Sequence, residues 1–317
     1  MSTSISSRQE ALVQFDQARR QARRELRSGR CQGRDTRMIP FDAIRSELRQ
    51  QNPLYQGIQN IELDLVVGSV GRAHEFTRHF LPLNDALKER WIGVERLAID
   101  QGWPPIEVFQ VGNVYFAKDG NHRLSVARQL EMTTVEAHVW AFPDDVEIDP
   151  EASLEDVFIQ LGERDFLEKT KIDQRIPEHD IQFTIPGNHT ELLAQIENLR
   201  ETLARIDGER MPYYDAVDAW HEMLYLPTIQ IIQDSTLLSD FPGRTEADLF
   251  VWMSKHREGL RNKYGGYANL ADLAGFMAAE FKESGVSKIA RQVRRLLGED
   301  VLPPLADSEI AGTDGEE

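Results

Sequence analysis

Apolar positions along the chain change their period several times, and each change predicts an element. Leu87, Trp91, Val94 and Ala98 recur at helical spacing, so a helix is expected over 86–102, ending at Gly102 ahead of Pro104-Pro105. Two strand-like runs follow, "IEVFQV" and "VYFAK", separated by Gly112-Asn113, a pair that tolerates positive φ and predicts a hairpin. Helical spacing returns from Asn121 to Glu131, with Leu124, Ala127 and Leu130 on one face. Then "VEAHVWAF" (135–142) alternates, turning Val135, Ala137, Val139 and Ala141 inward as a strand. Upstream, "MIPFDAI" (38–44) and "IELDLVV" (61–67) read as short strands or strand-to-helix junctions. Together these elements predict a mixed α/β domain over 38–143.

Beyond residue 190 the pattern is helical throughout. Leu192, Ile196, Leu199, Leu203 and Ile206 alternate spacings of four and three, a seam suited to a helical hairpin or a short coiled coil, hence to a homodimer or to an intramolecular pair. "YYDAVDAWHEMLYL" runs as helix to Pro227 and "TIQIIQDSTLL" resumes it, while Thr245 followed by Asp248 forms a capping-box variant opening another helix. Two further helices, about 268–283 and 286–297, complete an all-α domain over 191–298. The expected fold class is therefore α+β: a basic helical arm (1–37), the mixed domain, an acidic linker (144–190), the helical domain, and an acidic tail (299–317) expected to be disordered. The linker holds thirteen acids against four basic residues between Asp144 and Asp180, a density that predicts a solvated segment, helical around Leu154 to Leu161.

Composition narrows the function classes. A formal charge of −17 repels a phosphate backbone, so any nucleic-acid contact must be local. Two segments qualify for DNA: 19–37, with eight arginines against Glu25 and Asp35, and 286–297, "VSKIARQVRRLL", in each case with a plain solvated helix face as the alternative. No apolar run approaches the ~20 residues that a bilayer demands, and no signal sequence is evident, so the expectation is a cytoplasmic protein without a membrane partner. Cys31 is the single cysteine, which rules out an intramolecular disulfide and a cysteine-rich metal site.

Chemistry concentrates at "KDGNHRLS", where a strand meets a helix. A helix N-terminus leaves backbone N–H groups unsatisfied and carries partial positive charge, which favours an anion. Gly120 permits close backbone approach, and two basic side chains, His122 and Arg123, in the first turn are unfavourable there unless something negative lies between them; a phosphate satisfies that requirement. Asp119 beside a phosphate implies Mg²⁺ or a hydroxyl to be oriented, making it the candidate metal ligand and catalytic group. The plainer alternative has Asp119 and Asn121 capping the helix and His122 and Arg123 solvated. A second loop, "VVGSVGRAHEF", offers Gly68, Ser69 and Gly71 for flexibility, Arg72 and His74 to close on a nucleotide, and Glu75 as a candidate base; by itself it also reads as an ordinary surface loop. "HEFTRH" spaces His74 and His79 five apart, not the four that set two zinc ligands on one helix face. In "DAVDAWHEMLY", Asp218 and Glu222 are one helical turn apart but no complete ligand set surrounds them.

The run "WIGVERLAIDQGWPPIEVFQVGNVYFAKDGNHRLSVARQLEMTTVEAHVWAF" resembles the ParB/sulfiredoxin-like domain, and the resemblance reaches back to "MIPFDAI". It implies a corner that binds the phosphates of ATP or CTP with Mg²⁺, in a superfamily of nucleotide-gated DNA clamps, phosphotransferases and sulfinic-acid reductases. Gly120, His122 and Arg123 match its Gly-x-His-Arg phosphate signature. Asn121 occupies the position of the reductases' essential cysteine, which argues against that activity, and the equivalent of Arg72 faces the nucleotide. The phosphate-binding set is thus Gly68, Ser69, Gly71, Arg72, His74, Gly120, Asn121, His122, Arg123 and Ser125. The segment 212–264, around "FPGRTEADLFVW", resembles a bacterial domain of unknown function that accompanies ParB-like domains, with Arg244 a candidate for an anion or the neighbouring domain. The expected function is nucleotide binding, extending to a phosphotransferase or NTPase; the alternative is a nucleotide-responsive regulator or partition-like DNA-binding protein.

Overall fold

In the computed structural model, which describes residues 2–49, 52–100, 102–235, 238 and 241–257, the chain divides into two units, one up to Leu161 and one from Gly162. The first holds α1 (Ser2–Gln32), β1 (Ile39–Pro40), α2 (Phe41–Ile44), β2 (Leu54–Glu62), β3 (Val66–Ser69), α3 (Lys88–Asp100), β4 (Ile106–Val111), β5 (Val114–Asp119), α4 (Asn121–Gln129) and β6 (Thr134–Phe142). Its six-stranded mixed sheet has the order β1-β3-β5-β4-β6-β2. β1, β3 and β5 run parallel; β4 is antiparallel to β5 and parallel to β6; β2 closes the edge antiparallel to β6.

Alternation along the strands gives the sheet two apolar faces. One, with Val108, Ala117, Ala137 and Val139, is covered by Phe15, Trp91 and Leu124 from α1, α3 and α4. The other gathers Phe116 and Phe142 around Phe41, whose ring centroid lies 5.4 and 5.6 Å from theirs. The hairpin forms as expected, Val111 pairing with Val114 across Gly112-Asn113. Gly112 has φ +56, and a Cβ there would come within 1.7 Å of the Val146 carbonyl oxygen, so the turn also admits a close backbone crossing.

Two expectations need correction. α1 is no free arm, because Ala11, Phe15, Ala18 and Ala22 are fully buried and Phe15 meets Trp91 edge-to-face at 5.7 Å. Nor is the acidic stretch a solvated linker: Val146, Ile148, Ala152, Val157 and Leu161 belong to the second core face. Its acids lie mostly outward while every second or third residue turns in, and Asn113 fixes it by exchanging hydrogen bonds with the backbone of Ile148 at 2.8 and 2.9 Å. A buried arginine adds a third tie. Arg78, 4% exposed, donates to the carbonyls of Arg37 (3.0 Å), Pro150 (2.9 Å) and Ala152 (2.6 Å).

The division between the units falls inside α5 (Leu154–Thr170). The second unit continues with α6 (Ile172–Arg175), α7 (Asn188–Asp207), α8 (Tyr213–Trp220), a π-helical turn (His221–Tyr225), α9 (Leu226–Asp234) and α10 (Glu246–Lys255). The wide turn accommodates Pro227 at the start of α9, since a proline has no N–H for the regular ladder, and it stacks Trp220 on Tyr225 at 5.2 Å. The seam on α7 is buried only at Leu192 and Ile196, and Ile206 is 72% exposed. The capping box is present, with the Thr245 side chain accepting from the Asp248 N–H and the Asp248 carboxylate accepting from the Thr245 N–H. The helices expected over 268–297, including the second basic segment, and the acidic tail lie outside the described residues. Among the described residues no helix is long and apolar enough to cross a membrane.

Candidate functional site

Strand β5 ends at Asp119 and α4 begins at Asn121, so Gly120 makes the whole corner. It takes φ +102, and neither neighbour supplies a side-chain cap. That removes the plainer reading in which Asp119 and Asn121 cap the helix. A Cβ on Gly120 would lie 2.4 Å from Ile106 Cγ2, so only glycine fits between α4 and β4.

Arg123 reaches back under this corner. Its Nη1 donates to the carbonyls of Pro104 (2.7 Å) and Pro105 (3.0 Å), and its Nη2 binds the Asp119 carboxylate. His122 is 5% exposed, lies edge-on to Phe76 at 5.5 Å, and has no hydrogen-bond partner at Nδ1. Burial above all, aided by the charges of Arg90 and Arg72 and opposed by Glu75, pushes its pKa down to about 4. The imidazole is therefore neutral near pH 7. This corrects the expected pair of charged basic side chains: one of the two carries charge.

A small cavity of about 100 Å³ opens at the N-terminus of α4, lined by Arg72, Arg90, Val94, Asp119, Gly120, Asn121, His122 and Arg123. Asn121 is as buried as His122 and its Oδ1 is likewise unpartnered. The cavity therefore combines three guanidinium groups, one carboxylate, uncapped helix N–H groups and two unsatisfied side-chain atoms. An anion is the ligand class such a wall stabilises. Next to it lies a larger, mainly apolar cavity of about 260 Å³, whose wall includes Trp103, Ile106, Leu130, Met132 and Val135, with Glu136 and again Arg123. The Trp103 indole N–H donates to the Val94 carbonyl at 2.9 Å, fixing its ring.

The remaining expected residues do not line either cavity. Gly68 is buried where a Cβ would strike the Phe116 ring at 2.3 Å and the Ile39 oxygen at 2.4 Å, so it serves the joining of β1, β3 and β5. Ser69 is fully buried and donates to the Ala117 carbonyl at 3.2 Å. Ser125 accepts from the Trp91 indole at 2.9 Å in the core. Gly71 takes φ +69 in open space and His74 is exposed. Glu75 is paired with Arg72 at 3.1 Å, as Asp119 is with Arg123, so both expected catalytic carboxylates act here as counterions. Among the described residues no group of three or more His, Cys, Asp or Glu side chains could hold a metal ion. A lone carboxylate already bound to a guanidinium does not fit the expected magnesium site. Arg90 was not among the expected ligands. Its signal was Val94, one turn along the same helix and in the same wall, but a spacing of four names no target.

Burial of His122 has a measurable cost in acid. Between 6.5 and about 4 the unfolded chain binds a proton that the folded imidazole refuses, so its contribution is complete above pH 6.5 and is lost as pH falls through that window. The full loss is roughly 3 kcal/mol. In melting curves from pH 7 to 4, the difference between the wild type and His122→Phe should shift steadily in favour of the variant; a pH-independent difference refutes the assignment.

Comparison with known proteins adds little to this geometry. No family model matches the chain and no curated protein matches it. One solved structure that matches is sulfiredoxin from Arabidopsis thaliana, 18% identical over 26% of this chain and 84% of that one, with a TM-score of 0.21. A likeness that weak carries no argument. The mixed α/β unit followed by a helical unit rests on the elements described above.

Proposed function

We propose that the first unit binds a nucleoside triphosphate, ATP or CTP, with phosphate at the N-terminus of α4 and the base in the adjoining apolar cavity. The observation that carries this reading is Arg90. It lines the anion cavity, it is exposed, and it has no ion-pair partner among the described residues, whereas Arg72 and Arg123 each hold a carboxylate. Arg72 and Arg123 complete the grip, the neutral His122 supplies a hydrogen bond to a phosphate oxygen, and Trp103 presents an aromatic surface to the base. With Asp119 and Glu75 engaged as counterions, the reading is one of binding rather than phosphoryl transfer. It also supports a grip made by cations without a protein ligand to magnesium.

Binding to the native state alone raises apparent stability by RT ln(1 + [L]/Kd), about 2.7 kcal/mol at a hundredfold excess over Kd. ATP or CTP should therefore raise the melting temperature, and the rise should persist in EDTA. Arg90→Ala removes an exposed, unpaired side chain, so the fold should be unchanged while affinity falls about tenfold, the scale of one charge-assisted contact. If neither nucleotide shifts the wild type, or Arg90→Ala responds equally, the site is misassigned.

A further inference from the structure

We infer that the solvent face of α1 is a contact surface for the phosphate backbone of duplex DNA. Arg20, Arg23, Arg24, Arg27 and Arg30 are all exposed, and none has a hydrogen-bond or ion-pair partner among the described residues. Arginines elsewhere along this stretch are engaged: Arg8 with Glu89, Arg19 with the Leu83 carbonyl, Arg37 with Asp35. At ~100° per residue the five fall within an arc of roughly 120°, opposite the buried Ala11, Phe15, Ala18 and Ala22, and they extend ~15 Å along the axis. Glu25, the acid within the run, is turned aside to His79 at 3.3 Å. A chain of net charge −17 thus carries an uncompensated cationic stripe on one rigid helix.

The chemistry of the stripe selects its partner. A helix lying on a membrane must bury an apolar face, and the apolar face of α1 is already in the core. A protein interface wants apolar or aromatic residues at its centre, and the exposed residues beside these arginines are Gln21, Ser28 and Cys31. Single-stranded nucleic acid is gripped by aromatic rings interleaved with cations, and this face has none. What remains is a regular row of phosphates, for which the guanidinium fork is the suited group. Because α1 is packed against α3, only its side chains can reach the duplex, so the contact is to the backbone and independent of base sequence.

This inference is independent of the cavity reading. Its test uses the full chain, a labelled duplex of arbitrary sequence and the same strand unpaired, titrated from about 50 to 200 mM salt, where each phosphate contacted contributes roughly −0.9 to the slope of log K against log salt. The wild type should bind the duplex with a slope of about −3 to −5, little affected by base sequence. Substituting Arg20→Gln, Arg24→Gln and Arg27→Gln together should reduce the slope by about 3 and the affinity at least tenfold, with melting temperature and nucleotide response unchanged. Absence of duplex binding at about 50 mM salt, preference for the single strand, or equal binding by the triple variant overturns the inference.

Discussion

Gly120→Ala should lower the melting temperature of the first unit by about 10 °C and abolish its response to nucleotide. Two costs add. An L-residue held at φ +102 is strained by ~1–2 kcal/mol. The new methyl group would lie 2.4 and 2.8 Å from Ile106 Cγ2 and Cβ, the latter fixed directly to the β4 backbone, and overpacking of that kind costs ~1–3 kcal/mol. The sum is about 3 kcal/mol, at roughly 2–4 °C for each in a unit of this size. Relief requires α4 to move away from β4, which displaces the N–H groups and Arg123, 3.3 Å from the same methyl position. Gly71→Ala provides the control: it has φ +69 with no atom within 4 Å, so it carries backbone strain alone and a drop of only a few degrees. Equal melting temperatures for the two variants would show that Ile106 yields and that the corner is not the rigid element described.

Asp248→Ala should destabilise the helical unit by about 3–5 kcal/mol, the scale of removing the acceptor shared by several buried donors. The carboxylate is 1% exposed and accepts from the Thr184 N–H and hydroxyl (3.2 and 2.6 Å), the Asn188 amide (3.1 Å) and the Thr245 N–H (3.2 Å). It therefore ties the segment before α7, the first turn of α7 and the cap of α10 to one acceptor. Alanine leaves those donors unsatisfied in a site closed to water, each an expense of ~1–3 kcal/mol before relaxation. Asp248→Asn keeps one acceptor and the shape, so it should fall between. Amide exchange in α7 and α10 during denaturant titration separates this unit from the other; a loss under about 1 kcal/mol would mean that the donors find other partners.

Local chemistry made some of this architecture legible and long-range contacts hid the rest. Gly112-Asn113 announces its hairpin, Thr245 with Asp248 its cap, and Val135, Ala137 and Val139 their inward face, because turn dihedrals, capping and alternation are properties of a few neighbouring residues. β2 was not anticipated. Of its residues only Ile61 is buried while Leu54, Tyr55 and Ile58 are exposed, so no alternation marks it, and its existence depends on pairing with β6. The acidic stretch misled by charge density, which says nothing of where the intervening Val146, Ile148 and Val157 point. At the site, Gly120, His122 and Arg123 stood together in the sequence, but Arg90 joins them only through the docking of α3 on α4. The neutrality of His122 follows from burial against Phe76, and Ser125 looked like a ligand until Trp91 claimed its hydroxyl.

Arg78 has an implication for how the first unit comes apart. Backbone just before β1 and backbone well beyond β6 are held by one side chain, so neither of these two segments can fray alone without leaving part of a buried cation unsatisfied. The two segments are thus coupled in a single opening event, a reversible cross-link made of hydrogen bonds. β1, although it lies at one edge of the sheet, is therefore not an independent loose end from which unravelling can begin.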